Sequence, residues 1–213
     1  MVEIVSLGLS SFKISGKEIS VVCDPYHDDA VGLKFPKVEA DVVTISHNHS
    51  DHNNQDGVRG HHLCFDAPGE YEIKGAEIVG IKSYHDDKEG KERGLNTVFV
   101  FEIDDLKLCH LGDLGHDLSS EQIERIDGID VLFIPVGGHV TIDAKKAARI
   151  VAEISPKIVI PIHYRVGTRS DLDPADLFIK EIGKEPKMAT DIKIKPKDLG
   201  DDLELYILSP KSK

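Results

Sequence analysis

The sequence predicts an α+β protein in which β-sheets pack together and are covered by helices. Three observations predict it. The first half is a succession of short apolar or alternating runs separated by turn residues. The second half mixes continuous apolar runs with segments of helical spacing. Histidines and aspartates crowd at the ends of these runs, where loops converge over a rigid base.

In chain order, Ser11–Ser15 and Ile19–Cys23 read as a hairpin around Gly16-Lys17, and Val42–Ile45 is a short apolar strand. Ala76–Tyr84, Asn96–Ile103 and Leu106–Leu111 are predicted strands, with Asp104-Asp105 turning between the last two. Val131–Val136 and Ile158–Ile162 are apolar throughout, as in strands covered on both faces. Between them, Asp143–Ile154 sets Ala144, Ala147, Ala148, Val151 and Ile154 at helical spacing, with Thr141 or Asp143 as N-cap. Pro174–Ile182 is a second helix stopped by Gly183, and Ser119–Ile126 a shorter candidate. Leu203–Leu208 alternates as a last strand. No repeat, low-complexity segment or linker divides the chain, so one domain over residues 1–213 is expected.

Composition narrows the function. At 213 residues the chain can bury a sizeable core. A formal net charge of −12 argues against diffuse nucleic-acid binding, which needs a basic surface. Cys23, Cys64 and Cys109 are odd in number and widely spaced, which suits a reducing compartment, with Cys109 read as core. No apolar run reaches membrane-span length and the start lacks a basic segment followed by an apolar one, so a cytoplasmic protein with no membrane partner is expected.

The segment Thr44-Ile45-Ser46-His47-Asn48-His49-Ser50-Asp51-His52 carries the chemistry. His47, His49, Asp51 and His52 are four potential ligands directly after an apolar strand, and imidazole with carboxylate suits zinc, manganese or iron. His85, Asp113 and His163 each follow a further apolar strand. Singly each would pass for an ordinary strand-end residue; with the first cluster they form a metal constellation.

These residues carry a resemblance. His47-x-His49-x-Asp51-His52, His85-Asp86, Gly112-Asp113 and Pro161-Ile162-His163-Tyr164 resemble the metallo-β-lactamase superfamily. More narrowly they are similar to its branch of ascorbate-6-phosphate lactonase-like and small Zn-dependent hydrolases, which Gly69-Glu70-Tyr71 and Pro135-Val136-Gly137-Gly138 also fit. The resemblance implies an αββα sandwich, two mixed sheets flanked by helices, with two divalent metal ions (Zn2+, or Mn2+ or Fe2+) at one edge. It implies that His47, His49 and His85 hold one ion, Asp51, His52 and His163 the other, and that Asp113 bridges them. A hydroxide held by both ions would attack an ester, lactone or phosphoester of a small substrate, with Asp51 also taking part in proton transfer. Two ions at about +4, two aspartates at about −2 and a hydroxide leave roughly +1, so an anionic substrate is compatible with the acidic body. Leu9 stands where the branch usually carries histidine, a position expected to bear on substrate contact and not on metal binding.

Other residues are assigned around the site. His110 is expected to pack beneath it or to hydrogen-bond a ligand. Asp24 either orients a ligand histidine or is a turn residue. Gly138, with Gly137, lets backbone pass close to the metals. Tyr164 and Arg165 either touch substrate or lie on the surface. His27 and His139 lie in loops that reach the mouth, and His61-His62 read as a polar surface pair.

A nuclease or phosphodiesterase, or a side activity on β-lactams, shares this chemistry, although nucleases of the superfamily carry an additional strand-gripping domain. The diiron oxygen reductases on the same scaffold place Glu where this chain has His49. A sensor that binds metal without turnover is the reading from another class.

Overall fold

The computed structural model describes residues 1–210. In chain order the elements are β1 (Val2–Gly8), β2 (Ser11–Ser15), β3 (Ser20–Cys23), α1 (Asp28–Val31), β4 (Val38–Glu39), β5 (Val42–Thr44), β6 (Val58–Arg59) and β7 (Leu63–Phe65). There follow β8 (Gly69–Ile73), β9 (Ala76–Tyr84), β10 (Leu95–Ile103), β11 (Leu106–His110), α2 (Ser120–Arg125), β12 (Val131–Pro135) and α3 (Ala144–Ile154). The chain continues through β13 (Ile158–Ile162), α4 (Ala175–Ile182), β14 (Pro186–Ala189), β15 (Asp191–Ile194) and β16 (Glu204–Leu208).

The strands form a six-stranded sheet in the order β15-β1-β2-β3-β5-β7 and an eight-stranded sheet in the order β14-β16-β13-β12-β11-β10-β9-β8; β4 and β6 make a separate pair. Strand parity fills the layers. Val131, Phe133, Ile158, Ile160 and Ile162 point into the core between the sheets, opposite Ile4, Phe12, Ile14 and Val21. Leu132, Ile134 and Val159 point the other way, against Ala147, Ile150 and Val151 of α3 and Phe178 of α4. The outer face of the six-stranded sheet is covered differently: Leu7, Val22 and Val43 meet Tyr26, Val31, Phe35 and Leu172, so that flank is one short helix and loops.

The αββα sandwich expected of the sequence is thus present, with its helical flanks unequal. The long apolar strands and the three longer helices lie where the sequence puts them, within one or two residues. Asp143 caps α3 by accepting from the Lys146 N–H, Ser119 and Gln122 close a capping box on α2, and Gly183 ends α4 in the left-handed region. The strands the sequence did not announce are β1, β4, β6, β7, β8, β14 and β15. The chain passes from β14 in the larger sheet to β15 in the smaller one across Thr190 alone. No helix among the described residues is long and apolar enough to cross a membrane.

Phe133 sits between the sheets, fully buried, its ring 4.8 Å from that of Phe12 and 5.6 Å from His110. Phe133→Ala should cost about 3–5 kcal/mol of stability through the cavity it leaves, measured by chemical denaturation. A loss under 1 kcal/mol would show that the two sheets close over the space.

Candidate metal centre

Strands β5, β9, β11 and β13 deliver the predicted residues to one edge of the sandwich. The Nε2 atoms of His163, His52, His85 and His47 lie 3.1, 3.3, 3.3 and 3.7 Å from a single oxygen, Oδ2 of Asp113. Asp51 Oδ2 is 3.7 Å from His163 Nε2 and 3.8 Å from His52 Nε2. The His49 ring stands edge-on to His47, with centroids 4.6 Å apart. Three sets of ligand atoms therefore gather within 4.8 Å: His47/His49/His85, His47/His52/Asp113 and Asp51/His52/His163.

What aims these side chains is a buried carboxylate. Asp24 follows β3 with a left-handed backbone, φ 44°. Its Oδ1 accepts from the Ser46 N–H at 2.7 Å, and its Oδ2 accepts from the Ser46 hydroxyl at 2.7 Å and from His52 Nδ1 at 2.9 Å. Because the Ser46 hydroxyl donates to Asp24, its oxygen is left to accept from His47 Nδ1, 3.0 Å away. Both imidazoles thereby carry a proton at Nδ1 and turn Nε2 to the centre, so Nε2 is the nitrogen that a metal would take once any proton on it is released. Asp24 thus orients His52, a candidate ligand.

Asp113 is fixed through its backbone. Its N–H donates to Asn96 Oδ1 at 2.9 Å, while Asn96 Nδ2 donates to Ser83 Oγ and the Leu111 carbonyl. Gly112 turns the chain here at φ +57°, and a Cβ on it would stand 2.4 Å from Asn96 Oδ1. His110 accepts from the Gly112 N–H at 3.1 Å and donates through Nε2 to the Ser10 carbonyl at 2.9 Å. It holds the turn and is not among the converging nitrogens.

Nε2 of His47, His52 and His163 and Oδ1 of Asp113 are buried with no hydrogen-bond partner among the described residues. Orphaned buried groups of this kind are costly, and a cation is the partner that satisfies bare imidazole nitrogens and carboxylates together, so the donor set fits a metal. Electrostatics divides the histidines. Burial, then the charge of His52, pushes His47 down to about 3, and burial with His85 lowers His49. Burial also opposes protonation of His52 and His163, but Asp113, with Asp24 beside His52, outweighs it and raises both. For Asp113 and Asp51 burial acts upward, yet the neighbouring imidazoles hold both carboxyls well below the usual range.

Some expected neighbours lie elsewhere. Tyr164 packs with the helix-side core. Leu9 is 5% exposed among Tyr26, Val22 and Leu172, and its carbonyl meets the His163 N–H at 3.5 Å. Its side chain belongs to the core beneath the site, so the expected bearing on substrate contact gives way to a backbone role. Gly137 makes the close approach, since its Cβ would stand 2.1 Å from the His163 carbonyl. Gly138 and His139 line a cleft of about 300 Å3 beside His85, together with Arg93, Thr141 and Lys146. His27 and His61 are exposed. Asp86 shapes the wall of this cleft: it accepts backbone N–H groups from Lys88, Gly90, Glu92 and Arg93, which overcome the effect of burial and lower its carboxyl to about 2.

Three residues were missed. Ser46 and Asn96 are polar side chains inside or beside apolar runs, a signal that was available. Arg169, whose Nη1 donates to Asp51 Oδ2, lies 118 positions from its partner and gave no signal.

Residues 3–163 match the family described as "Beta-lactamase superfamily domain". A solved Thermotoga maritima structure, described as belonging to the metallo-beta-lactamase superfamily, superposes with a TM-score of 0.84 at 32% identity, covering 99% of this chain and 100% of that one. The chain belongs to the metallo-β-lactamase superfamily. Two archaeal relatives named "UPF0173 metal-dependent hydrolase", from Thermococcus onnurineus and Pyrococcus abyssi, are 29% and 28% identical. Each alignment covers 96% of this chain and 100% of the relative. Superfamily membership accounts for the edge position of the cluster, where the strands of both sheets end.

Asp24→Asn should keep the fold but remove one of the two carboxylates that raise His52. In the metal-free protein the His52 pKa, followed by NMR, should fall. No change would mean that Asp113 alone governs this imidazole.

Proposed function

We propose that the chain is a metal-dependent hydrolase holding two divalent ions, with zinc best suited to the nitrogen-rich donors, and that it cleaves an ester, lactone or phosphoester of a small substrate. The observation that carries this reading is the convergence of four histidine Nε2 atoms on Asp113 Oδ2, with three of those nitrogens buried and unpartnered. His47, His49 and His85 are assigned to one ion and Asp51, His52 and His163 to the other. Asp113 is assigned to both, because its oxygen lies within reach of each set. The names of the archaeal relatives, and that of the Thermotoga maritima protein, which proposes a zinc-dependent hydrolase, support the same class.

When bound, such ions supply Lewis acidity and bring the pKa of water toward neutrality. The chain's own residues do the rest. Asp24 and Ser46 keep Nε2 of His52 and His47 turned to the centre. Asp51, whose Oδ2 faces His52 and His163, is the assigned proton carrier as the bond breaks. Arg93 and Lys146, on the cleft beside His85 that Asp86, Asp87, Glu92 and Asp143 also line, offer cationic contacts to an anionic substrate, and a cleft of about 300 Å3 suits a small molecule. The charge of −12 opposes a nucleic-acid substrate.

Removing the Asp113 carboxylate takes a ligand from each ion and leaves two cations unscreened, whereas His163 serves one. Zinc-loaded wild type should therefore hold about two ions per chain. Asp113→Ala should lower occupancy at both sites, and His163→Ala should retain about one ion. Elemental analysis, circular dichroism and an ester, lactone and bis-phosphoester screen test this; an Asp113→Ala variant with both ions and most activity would sink the assignment.

Filling should also be staged by pH. His47 and His49 are lowered from 6.5, so they are neutral and ready near neutrality. His52 and His163 are raised above 6.5 and must release protons to bind. The three-histidine set should fill first at lower pH and the Asp51/His52/His163 set only as pH rises above 6.5, with proton release measurable by calorimetry in buffers of different ionisation enthalpy. Equal pH dependence of the two binding steps would contradict the assignment.

A further inference from the structure

Asp51 differs from the other candidate ligands in what holds it. His52 leans directly on Asp24, His47 does so through Ser46, and Asp113 is fixed through Asn96. The Asp51 carboxylate accepts one hydrogen bond among the described residues, from Arg169 Nη1 at 2.5 Å, and it falls on Oδ2, the oxygen that faces His52 and His163. Both side chains are 15% exposed, so the pair is partly withdrawn from water.

Arg169 is itself held by a second carboxylate. Its Nε and Nη2 each lie 3.1 Å from an oxygen of Asp171, a two-pronged grip that a planar guanidinium can make and an ammonium cannot. The loop beneath is pinned on several sides. Arg165 donates from its backbone N–H to the Asp173 carbonyl and from Nε to the Leu172 carbonyl, each at 2.9 Å. The Thr168 N–H reaches the Val31 carbonyl at 3.1 Å, the Asp173 N–H reaches the Gly137 carbonyl at 2.9 Å, and Leu172 is fully buried. A loop held at these points thus carries Asp171, Asp171 grips the guanidinium, and the guanidinium meets one oxygen of Asp51.

We propose that Arg169 is a positioning residue for the second ion: by fixing Asp51 Oδ2 toward His52 and His163 it makes the Asp51/His52/His163 set a selective, high-affinity site, and it has no part in the His47/His49/His85 set. The inference rests on the two-ion reading above. A guanidinium bonded to a ligand carboxylate also repels the incoming cation. Orientation nevertheless prevails, because partners that orient ligands are worth about 10–100-fold in metal affinity while the charge of Arg169 is already offset by Asp171.

Stepwise zinc titration against a chromogenic chelator, and visible spectra of the cobalt-loaded protein, test it on wild type, Arg169→Gln, Arg169→Lys and Asp171→Asn, with circular dichroism on each. Arg169→Gln should weaken the second binding step by about 10–100-fold, leave the first unchanged and alter only the cobalt bands that appear with the second equivalent. Arg169→Lys keeps the charge but cannot grip both carboxylates, so it should restore part of the loss; Asp171→Asn should weaken the same step to a lesser degree. Wild type saturating at one ion would overturn the two-ion reading and this inference with it. Wild type binding two ions while Arg169→Gln matches it in both affinity and cobalt spectrum would overturn the Arg169 assignment alone.

Discussion

The carboxylate of Asp24 is the constraint on which the rest of the site depends. It is buried at the end of β3, in a left-handed backbone conformation that aspartate tolerates better than most residues, and it is committed to three donors at once. Two of those donors belong to Ser46, just beyond β5, and the third to His52 on the loop that follows. One side chain therefore ties together the ends of two parallel neighbouring strands and the loop that carries four of the candidate ligands. Its effect reaches the chemistry through proton positions: the orientation of the Ser46 hydroxyl dictates which nitrogen of His47 carries hydrogen, and the bond from His52 dictates the same there. Two imidazoles turn Nε2 to the centre because one carboxylate lies behind them.

The remainder of the architecture keeps that arrangement from relaxing. Phe12, Phe133 and their neighbours fill the space between the sheets, and His110, inside this apolar layer, spends both ring nitrogens on backbone groups of Gly112 and Ser10. The turn bearing Asp113 is thus supported from the core side by His110 and from the strand side by Asn96. The passage from β14 to β15 through Thr190 joins the two sheets covalently at their far edges, so the strand ends that frame the site belong to layers that cannot slide apart.

Much of this was legible in the sequence, for identifiable reasons. Val131–Pro135 and Ile158–Ile162 are covered on both faces, so their composition alone marks them, and His163 is found simply by reading to the end of the second. His47, His49, Asp51 and His52 stand close together, and their chemistry is visible without a fold. What stayed hidden depends on distance or on exposure. The half-exposed Pro186–Ala189 and Asp191–Ile194 carry too few apolar residues to read as strands. Asn96 and Ser83 look like interruptions of β10 and β9, and only the antiparallel register, which sets Asn96 opposite Ser83, shows that they satisfy each other. The family resemblance assigns Leu9 to substrate contact, whereas the left-handed turn after Gly8 carries its side chain into the core. Arg169 meets Asp51 only because the loop after His163 folds back over α1.

The segment after His85 separates shape from chemistry. Asp86 fixes its course by gathering backbone N–H groups, and backbone N–H groups are the same whatever side chains flank them. The side chains between Asp87 and Arg93 can thus be exchanged without redrawing the loop, provided Glu89 and Gly90 are replaced only by residues that keep their left-handed turn. One wall of the cleft is in this sense interchangeable, while the residues behind the ligands are not. A scaffold divided in this way can change what it admits and leave untouched the apparatus that acts on it.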